Sequence, residues 1–394
     1  MNIYFWPTLE LLAYARSARG ILYTFDSETL LHHNYNMDQI KEKVSSIRIP
    51  IYELSFTRTT SDSTNSTKLQ IHLPLPTNIQ NRLVHIVSEL GLGIKIWFCS
   101  RMKRILKYRI NFDVRNVLSW RSIGIIDRFE TARNLIRNEN SQRRPRLYVA
   151  CKYYFEEDAQ RLYRKMSSND QQVIRRKWER SVSMRHWYRA LENRETLDWA
   201  QISRNITNYE FFLRNYDGIP YYFTKLQGRD IRYNCIATCL GFKLLRPFDV
   251  YFCLHEFQAD EINNVLMRLT KYQMLQVFDS FLHWPLQSVF LDVVNSFKAR
   301  LYEEIFHHLI ARLLHKLGCG REDYEYANIL KIFWEELPSY HSSFDKKQDT
   351  LKRVNYVLNA PLPFESNEFQ KFIKREKTRR KGELHGNSCI IQQN

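Results

Sequence analysis

The chain has 394 residues, a formal charge of +17 and a 44% hydrophobic content that includes 24 Phe, 23 Tyr and 8 Trp. Only 11 Gly and 11 Pro are present, which excludes collagen-like and flexible low-complexity classes, and the aromatic content is enough for a sizeable core. No membrane span is expected, because the richest apolar stretch, 289–317, is interrupted by Asp292, Lys298, Arg300, Glu303 and Glu304.

Residues 1–12 carry Glu10 within an apolar run and have no basic start, so they do not read as a secretory signal. The seven cysteines, Cys99, Cys151, Cys235, Cys239, Cys253, Cys319 and Cys389, are sparse and mostly in apolar helical contexts. They read as reduced thiols in an intracellular protein, cytoplasmic or nuclear. Without a secretory route, the glycosylation-like Asn65-Ser66-Thr67 and Asn205-Ile206-Thr207 read as chance matches.

In chain order, Pro7 in a first turn, Leu11, Leu12 and Ala15 on one face, and Gly20 beyond predict a helix over 7–18. Alternation over 48–58 and 68–73, around the polar run 59–67, reads as a small hairpin or a disordered loop spanning 48–73. Leu83, Ile86, Val87 and Leu90 then predict an amphipathic helix with Gly91 as its stop. Residues 1–119 thus form a small mixed N-terminal cap, mostly helical.

From 120 to 357 helical patterns follow closely, with caps or breakers at Asp127, Ser167-Ser168-Asn169, Gly218-Ile219-Pro220, Pro247, Pro285, Gly318-Cys319-Gly320 and Pro338. Short loops imply antiparallel neighbours. The expected fold is therefore all-α, an array of antiparallel helix pairs, either short and solenoid-like or an irregular bundle. The pattern over 285–317 would be roughly 50 Å long as one straight helix. Residues 358–394 read as a basic flexible tail.

One internal correspondence stands out: Cys151, Phe155 and Asp158 match Cys253, Phe257 and Asp260 at an offset of 102. After one inserted residue, Leu162, Tyr163 and Met166 match Val265, Leu266 and Leu269, each group followed by Ser167 or Thr270. Tyr326, Phe333, Trp334, Leu337 and Pro338 fit the same spacing. This is either a helix-turn-helix repeat or a coincidence of aromatic-rich amphipathic helices. In either case Phe155, Leu162, Phe257, Leu266, Phe333 and Trp334 are expected in the core.

The stretch Ile125-Ile126-Asp127, Thr131-Ala132, Leu135-Ile136, Asn138-Glu139 and 150–158, with the opening Trp6-Pro7, resembles a pattern in a large expanded set of uncharacterised arachnid helical proteins. The resemblance spans about residues 1–350 and rests on helical-packing motifs. It implies a helical fold and carries no activity.

No catalytic or cofactor signature emerges, and no cofactor or metal is expected. Cys235 and Cys239 share one helix face at i and i+4, but the second pair would be Cys253-x-His255 and the segment between is hydrophobic, so these residues read as core and not as a zinc site. Glu304-Ile305-Phe306-His307 lies within the only Glu-x-x-His half-site region, where a di-iron bundle needs two; Glu304 and His308 read as a surface i, i+4 pair. Ala259 stands where the zincin helix begun by His255-Glu256 needs its second His, and neither Gly91-Leu92-Gly93 nor Gly318-Cys319-Gly320 has the surroundings of a phosphate loop.

Charge carries the remaining signal. Residues 101–200 hold 24 basic and 12 acidic side chains, whereas residues 251–350 hold 10 and 14. The candidate basic binding face is Arg101, Lys103, Arg104, Arg143, Arg144, Arg146, Arg175, Arg176 and Lys177, with Trp120, Tyr148, Trp178, Trp187 and Tyr188 between them. A second run, Lys374, Arg375, Lys377, Arg379, Arg380 and Lys381, is a candidate tail signal. The leading expectation is an intracellular, non-enzymatic helical interaction protein with an acidic protein partner. The alternatives are nucleic-acid binding through the Arg- and aromatic-rich segment 101–200, and an enzyme without a recognisable motif.

Overall fold

A computed structural model describes residues 4–60, 63–98, 113–140, 142–181, 184–206, 209–344 and 347–390, with the side chains of 50–72, 259–260, 377 and 380–390 left aside. The chain is an all-α helical bundle with one two-stranded hairpin, and it divides into two units, 7–128 and 1–6 with 129–394.

In the first unit, local capping chemistry sets the helix starts. Thr8, Asp26 and Asn36 cap the helices α1 (Leu9–Leu22), α2 (Ser27–His32) and α3 (Met37–Ser45), and Gln39 completes a capping box with Asn36. Strands β1 (Arg48–Thr60) and β2 (Ser63–Pro74) pair antiparallel, from Arg48 opposite Pro74 to Thr60 opposite Ser63. The polar residues 59–60 and 63–67, expected to separate the strands, are instead part of the ladder, with Thr57 opposite Ser66. Its Thr and Ser residues suit extended backbone.

Helix α4 (Thr77–Trp97) runs through Gly91, the expected stop. The reason is packing: a Cβ at Gly91 would lie 1.6 Å from the Tyr35 hydroxyl, so the glycine serves a close approach between elements and not a C-cap.

In the second unit the helices Arg143–Lys152 and Glu156–Arg164 form a tight pair, joined by a turn in which Tyr154 adopts a left-handed φ of +59°. Pro247–His255 and Ala259–Arg268 follow the same order, and Ser167 and Thr270 each cap the next helix, Ser168–Trp178 and Lys271–Ser280. Phe155, Leu162, Phe257, Leu266, Phe333 and Trp334 are all buried, as the shared spacing requires.

The long helix expected over 285–317 is broken. A 3-10 turn Leu286–Val289, a short helix Phe290–Ser296, a second 3-10 turn Lys298–Arg300 and the helix Glu303–Gly318 take its place. Phe297 and Leu301 are buried across the break, so the apolar period of three and four continues through it and conceals it. The two glutamates in the first turn of Glu303–Gly318 mark the fresh start, where carboxylates suit the helix dipole. That helix buries Ile305, Phe306, Leu309, Ile310, Leu313, Leu314 and Leu317 against the helices Lys271–Ser280, Tyr326–Glu335, Gln348–Asn359 and Ser366–Ile390.

The last of these corrects the reading of 358–394 as a flexible tail. Ser366–Ile390 is a helix; Phe369 is fully buried and Phe372 stacks on Tyr356 with ring centroids 4.6 Å apart. Phe369, Phe372 and Ile373 fall at helical spacing on one face, so a short apolar stripe anchors a segment whose composition is dominated by charge.

Candidate interaction surface

The arginines of the expected basic face have different surroundings. Arg143, Arg144 and Arg146 stand in the first turn of Arg143–Lys152, the end of a helix that least suits a cation. Each reaches a neighbouring element. Arg143 Nη1 donates to the Lys165 carbonyl at 2.6 Å, at the end of Glu156–Arg164. Arg146 Nε donates to the Ile136 carbonyl at 2.6 Å, in the last turn of Arg128–Arg137. Arg144 pairs with Asp170, and its hydrogen bond, with that from Ser167, holds the Asp170 carboxyl below its ordinary pKa. Burial pulls the Arg146 guanidinium below its usual value, opposed by the charge of Glu139. These three arginines thus bind helix ends together.

Arg175, Arg176 and Lys177 differ. They lie in the last turn of Ser168–Trp178 and are exposed, with the Arg175 guanidinium 5.9 Å from the Tyr188 ring centre. Among the described residues Arg175, Arg176, Lys177 and the exposed Arg180 form no ion pair with a carboxylate within 4 Å. Arg101, Lys103 and Arg104 lie outside the described residues. Trp178 and Trp187 are core residues, 5% and 2% exposed, so neither offers a ring face to a ligand.

In the C-terminal helix, Lys374, Arg375 and Arg379 are exposed, while the side chains of Lys377, Arg380 and Lys381 fall outside the description. Glu376 faces Arg353 at 4.0 Å and, with Lys352, Asn355, Tyr356, Asn359 and Phe372, lines an open groove of about 480 Å³.

Three clusters away from the basic face carry groups capable of chemistry. Cys235, Cys239 and Cys253 are fully buried, and burial pushes the Cys235 thiol well above its usual pKa, whereas His255 is exposed and stacks on Tyr251. Among the described residues no group of three or more His, Cys, Asp or Glu side chains is placed to hold a metal ion. Glu304 pairs with Lys271 at 2.8 Å rather than with His308.

Ser343, His307 and Lys347 form a chain: Ser343 Oγ to His307 Nε2 at 2.6 Å, and Lys347 Nζ to His307 Nδ1 at 2.6 Å. An ammonium only donates, so Nδ1 accepts, Nε2 carries the proton, and Ser343 Oγ gives its own proton to the Tyr340 carbonyl at 2.5 Å. The polarity is opposite to that of a base-activated nucleophile.

The third cluster is deepest. Asp323 Oδ2 accepts from Tyr326 Oη at 2.7 Å and from Gln287 Nε2 at 2.9 Å, and Lys316 Nζ donates to Tyr326 Oη at 3.1 Å. Gln287, Asp323 and Tyr326 are each at most 2% exposed, so this network ties the 320–326 turn to the 286–289 turn from within.

Periodicity gave no signal for one surface feature. Tyr209, Phe242 and Tyr272 are large and exposed, each stands at a helix end outside any apolar stripe, and Phe242 stacks on Tyr209 while its neighbour Lys243 reaches Tyr272.

No protein-family model, curated protein or solved structure matches the chain. Among the described residues no helix is long and apolar enough to cross a membrane.

Proposed function

We propose that this chain is a non-enzymatic helical interaction protein that binds an acidic protein partner through the cations at the end of Ser168–Trp178. The observation that carries the reading is the exposure of Arg175, Arg176 and Lys177 without a carboxylate partner among the described residues, on a helix whose Asp170 is already taken by Arg144. Uncompensated charge raises the encounter rate with an oppositely charged surface and selects against like-charged ones. Its place of action is inside the cell, in the cytoplasm or nucleus, where buried free thiols such as Cys151, Cys235, Cys239 and Cys253 persist.

The test compares wild type with the Arg175→Glu/Arg176→Glu/Lys177→Glu variant in affinity capture with and without nuclease treatment. Acidic proteins retained after nuclease and lost in the variant are the expected result. Titration of labelled single- and double-stranded oligonucleotides forms the second arm. Sub-micromolar binding at physiological salt, with a log–log salt slope near −0.9 per duplex contact or −0.7 per single-strand contact, would replace the protein partner with a nucleic acid.

A further inference from the structure

Tyr209 precedes the helix Glu210–Asn215, Phe242 follows Arg229–Gly241, and Tyr272 is the second residue of Lys271–Ser280. They are 58%, 57% and 44% exposed. Single exposed apolar residues are ordinary on a protein surface, but here two of the rings meet and the third is joined to them through Lys243, the neighbour of Phe242. The Tyr209 and Phe242 rings stack with centroids 5.9 Å apart and planes 19° apart, and Lys243 Nζ lies 5.3 Å from the centre of the Tyr272 ring.

The backbone at the centre of this patch is unusual. Lys243 has φ +52°, with its N–H bonded to the Leu240 carbonyl at 3.1 Å and the Leu244 N–H to the Cys239 carbonyl at 2.9 Å. That is a helix-ending turn whose left-handed position normally belongs to glycine. A lysine there is strained, and the only glycine nearby, Gly241, lies two residues earlier within the helix. In this conformation Lys243 reaches the Tyr272 ring. The neighbouring charges are matched, Glu210 by Arg214 and Lys271 by Glu304, each at 2.8 Å, whereas Lys243 has no ion-pair partner among the described residues.

We propose that Tyr209, Phe242, Lys243 and Tyr272 dock an acidic peptide segment that carries one large apolar anchor. The proposal rests on the acidic-partner reading for the sign of the charge and goes beyond it in naming a second surface and the anchor. Exposed aromatic rings beside a cation without an ion-pair partner suit the centre of a protein interface, where a carboxylate meets Lys243 and an aliphatic or aromatic side chain covers the Tyr209 and Phe242 rings. A nucleic-acid strand fits less well: Tyr209 and Phe242 face each other, Lys243 covers Tyr272, and a single cation does not track a phosphate backbone.

The probe is a phage-displayed library of random short peptides panned on the full chain. Enriched peptides are expected to be acidic with a Leu, Phe or Trp. Their affinity is expected to fall about tenfold or more in Phe242→Ser and in Tyr272→Ser, two exposed substitutions that leave the melting temperature nearly unchanged. Lys243→Gly separates recognition from structure. Relief of the left-handed strain raises the melting temperature while removal of the charge weakens peptide binding; a purely structural lysine would give the first change without the second. Absence of enrichment, enrichment of neutral or basic peptides, equal binding to the ring variants, or tight binding of thymidine oligomers through these rings would each overturn the proposal. The Arg175→Glu/Arg176→Glu/Lys177→Glu variant runs in parallel: peptide loss there with full retention in the ring variants sinks the docking patch alone, the reverse is the result expected of the patch, and the basic-face reading fails only if this variant still captures the acidic proteins.

Discussion

Arg312 holds Asp279 in a fork, Nε to Oδ1 at 2.9 Å and Nη2 to Oδ2 at 3.3 Å, and so ties the helix Glu303–Gly318 to Lys271–Ser280. Burial alone would raise the pKa of Asp279, but hydrogen bonds and charge from His283 and Arg312 outweigh it and hold the carboxyl well below the ordinary carboxylate range. Because the folded pKa is depressed, this contribution to stability is fully present above about pH 4 and is lost as pH falls through the folded value. Asp279→Asn is therefore expected to cost about 1–3 kcal/mol at neutral pH and to flatten the acid limb of the stability curve. Urea unfolding of both proteins at neutral and acidic pH measures this; parallel acid limbs would contradict it.

Tyr326→Phe removes the hydroxyl shared by Asp323, Gln287 and Lys316 and leaves a buried carboxylate with one donor fewer. The expected loss is about 1–3 kcal/mol by chemical denaturation, despite the near-identical shape of the side chain. An unchanged denaturation midpoint would show that the network is not coupled to folding.

Gly218 lies against the turn after Arg143–Lys152, where an added Cβ would come 2.6 Å from the Tyr154 ring and 2.7 Å from the Lys152 carbonyl. Tyr154 is fully enclosed and its backbone is already left-handed. Gly218→Ala is expected to lose roughly 1–3 kcal/mol by overpacking, where an alanine at an open helical site would be neutral or favourable. Thermal melts of Gly218→Ala beside Gly20→Ala, whose added Cβ meets nothing within 4 Å, decide the point.

Thiol reactivity divides the cysteines. Burial pushes the Cys151 and Cys235 thiols well above their usual pKa, Cys239 and Cys253 are equally enclosed, and Cys319 is exposed beside His315. In a background with Cys99 and Cys389 changed to Ser, a thiol reagent at neutral pH should titrate one fast equivalent, abolished by Cys319→Ser. Rapid modification of several thiols in the native state would contradict the buried placement.

Phe369 anchors the C-terminal helix. Phe369→Ala should cost about 3–5 kcal/mol locally or globally, and hydrogen exchange should rise through 366–376 more than in Glu303–Gly318. Equal protection in both proteins would mean that the anchor lies elsewhere.

Residue order alone was enough for features that depend on neighbours within a few positions. Ser167, legible as a cap, starts a helix because its side chain meets a backbone N–H of its own first turn, and Thr8, Asp26, Asn36 and Thr270 act by the same local chemistry although apolar spacing did not point to them. The alternation around 48–73 carries the hairpin, and the shared spacing of Phe155, Phe257 and Phe333 carries their burial. Other outcomes were settled only when distant segments met. Gly91 stays helical because Tyr35 lies against it, and the break after Ser296 is invisible because Phe297 and Leu301 keep the apolar period. Arg143 and Arg146 serve neighbouring helix ends while Arg175, three helices later in the count from Arg128–Arg137, stays exposed, although all three look alike as letters. Phe242 and Lys243 acquire meaning only beside Tyr209 and Tyr272. Caps and periodicity act through the backbone geometry of one or two turns, whereas the partner of a charge or a ring is chosen by which elements the whole fold brings within a few ångströms.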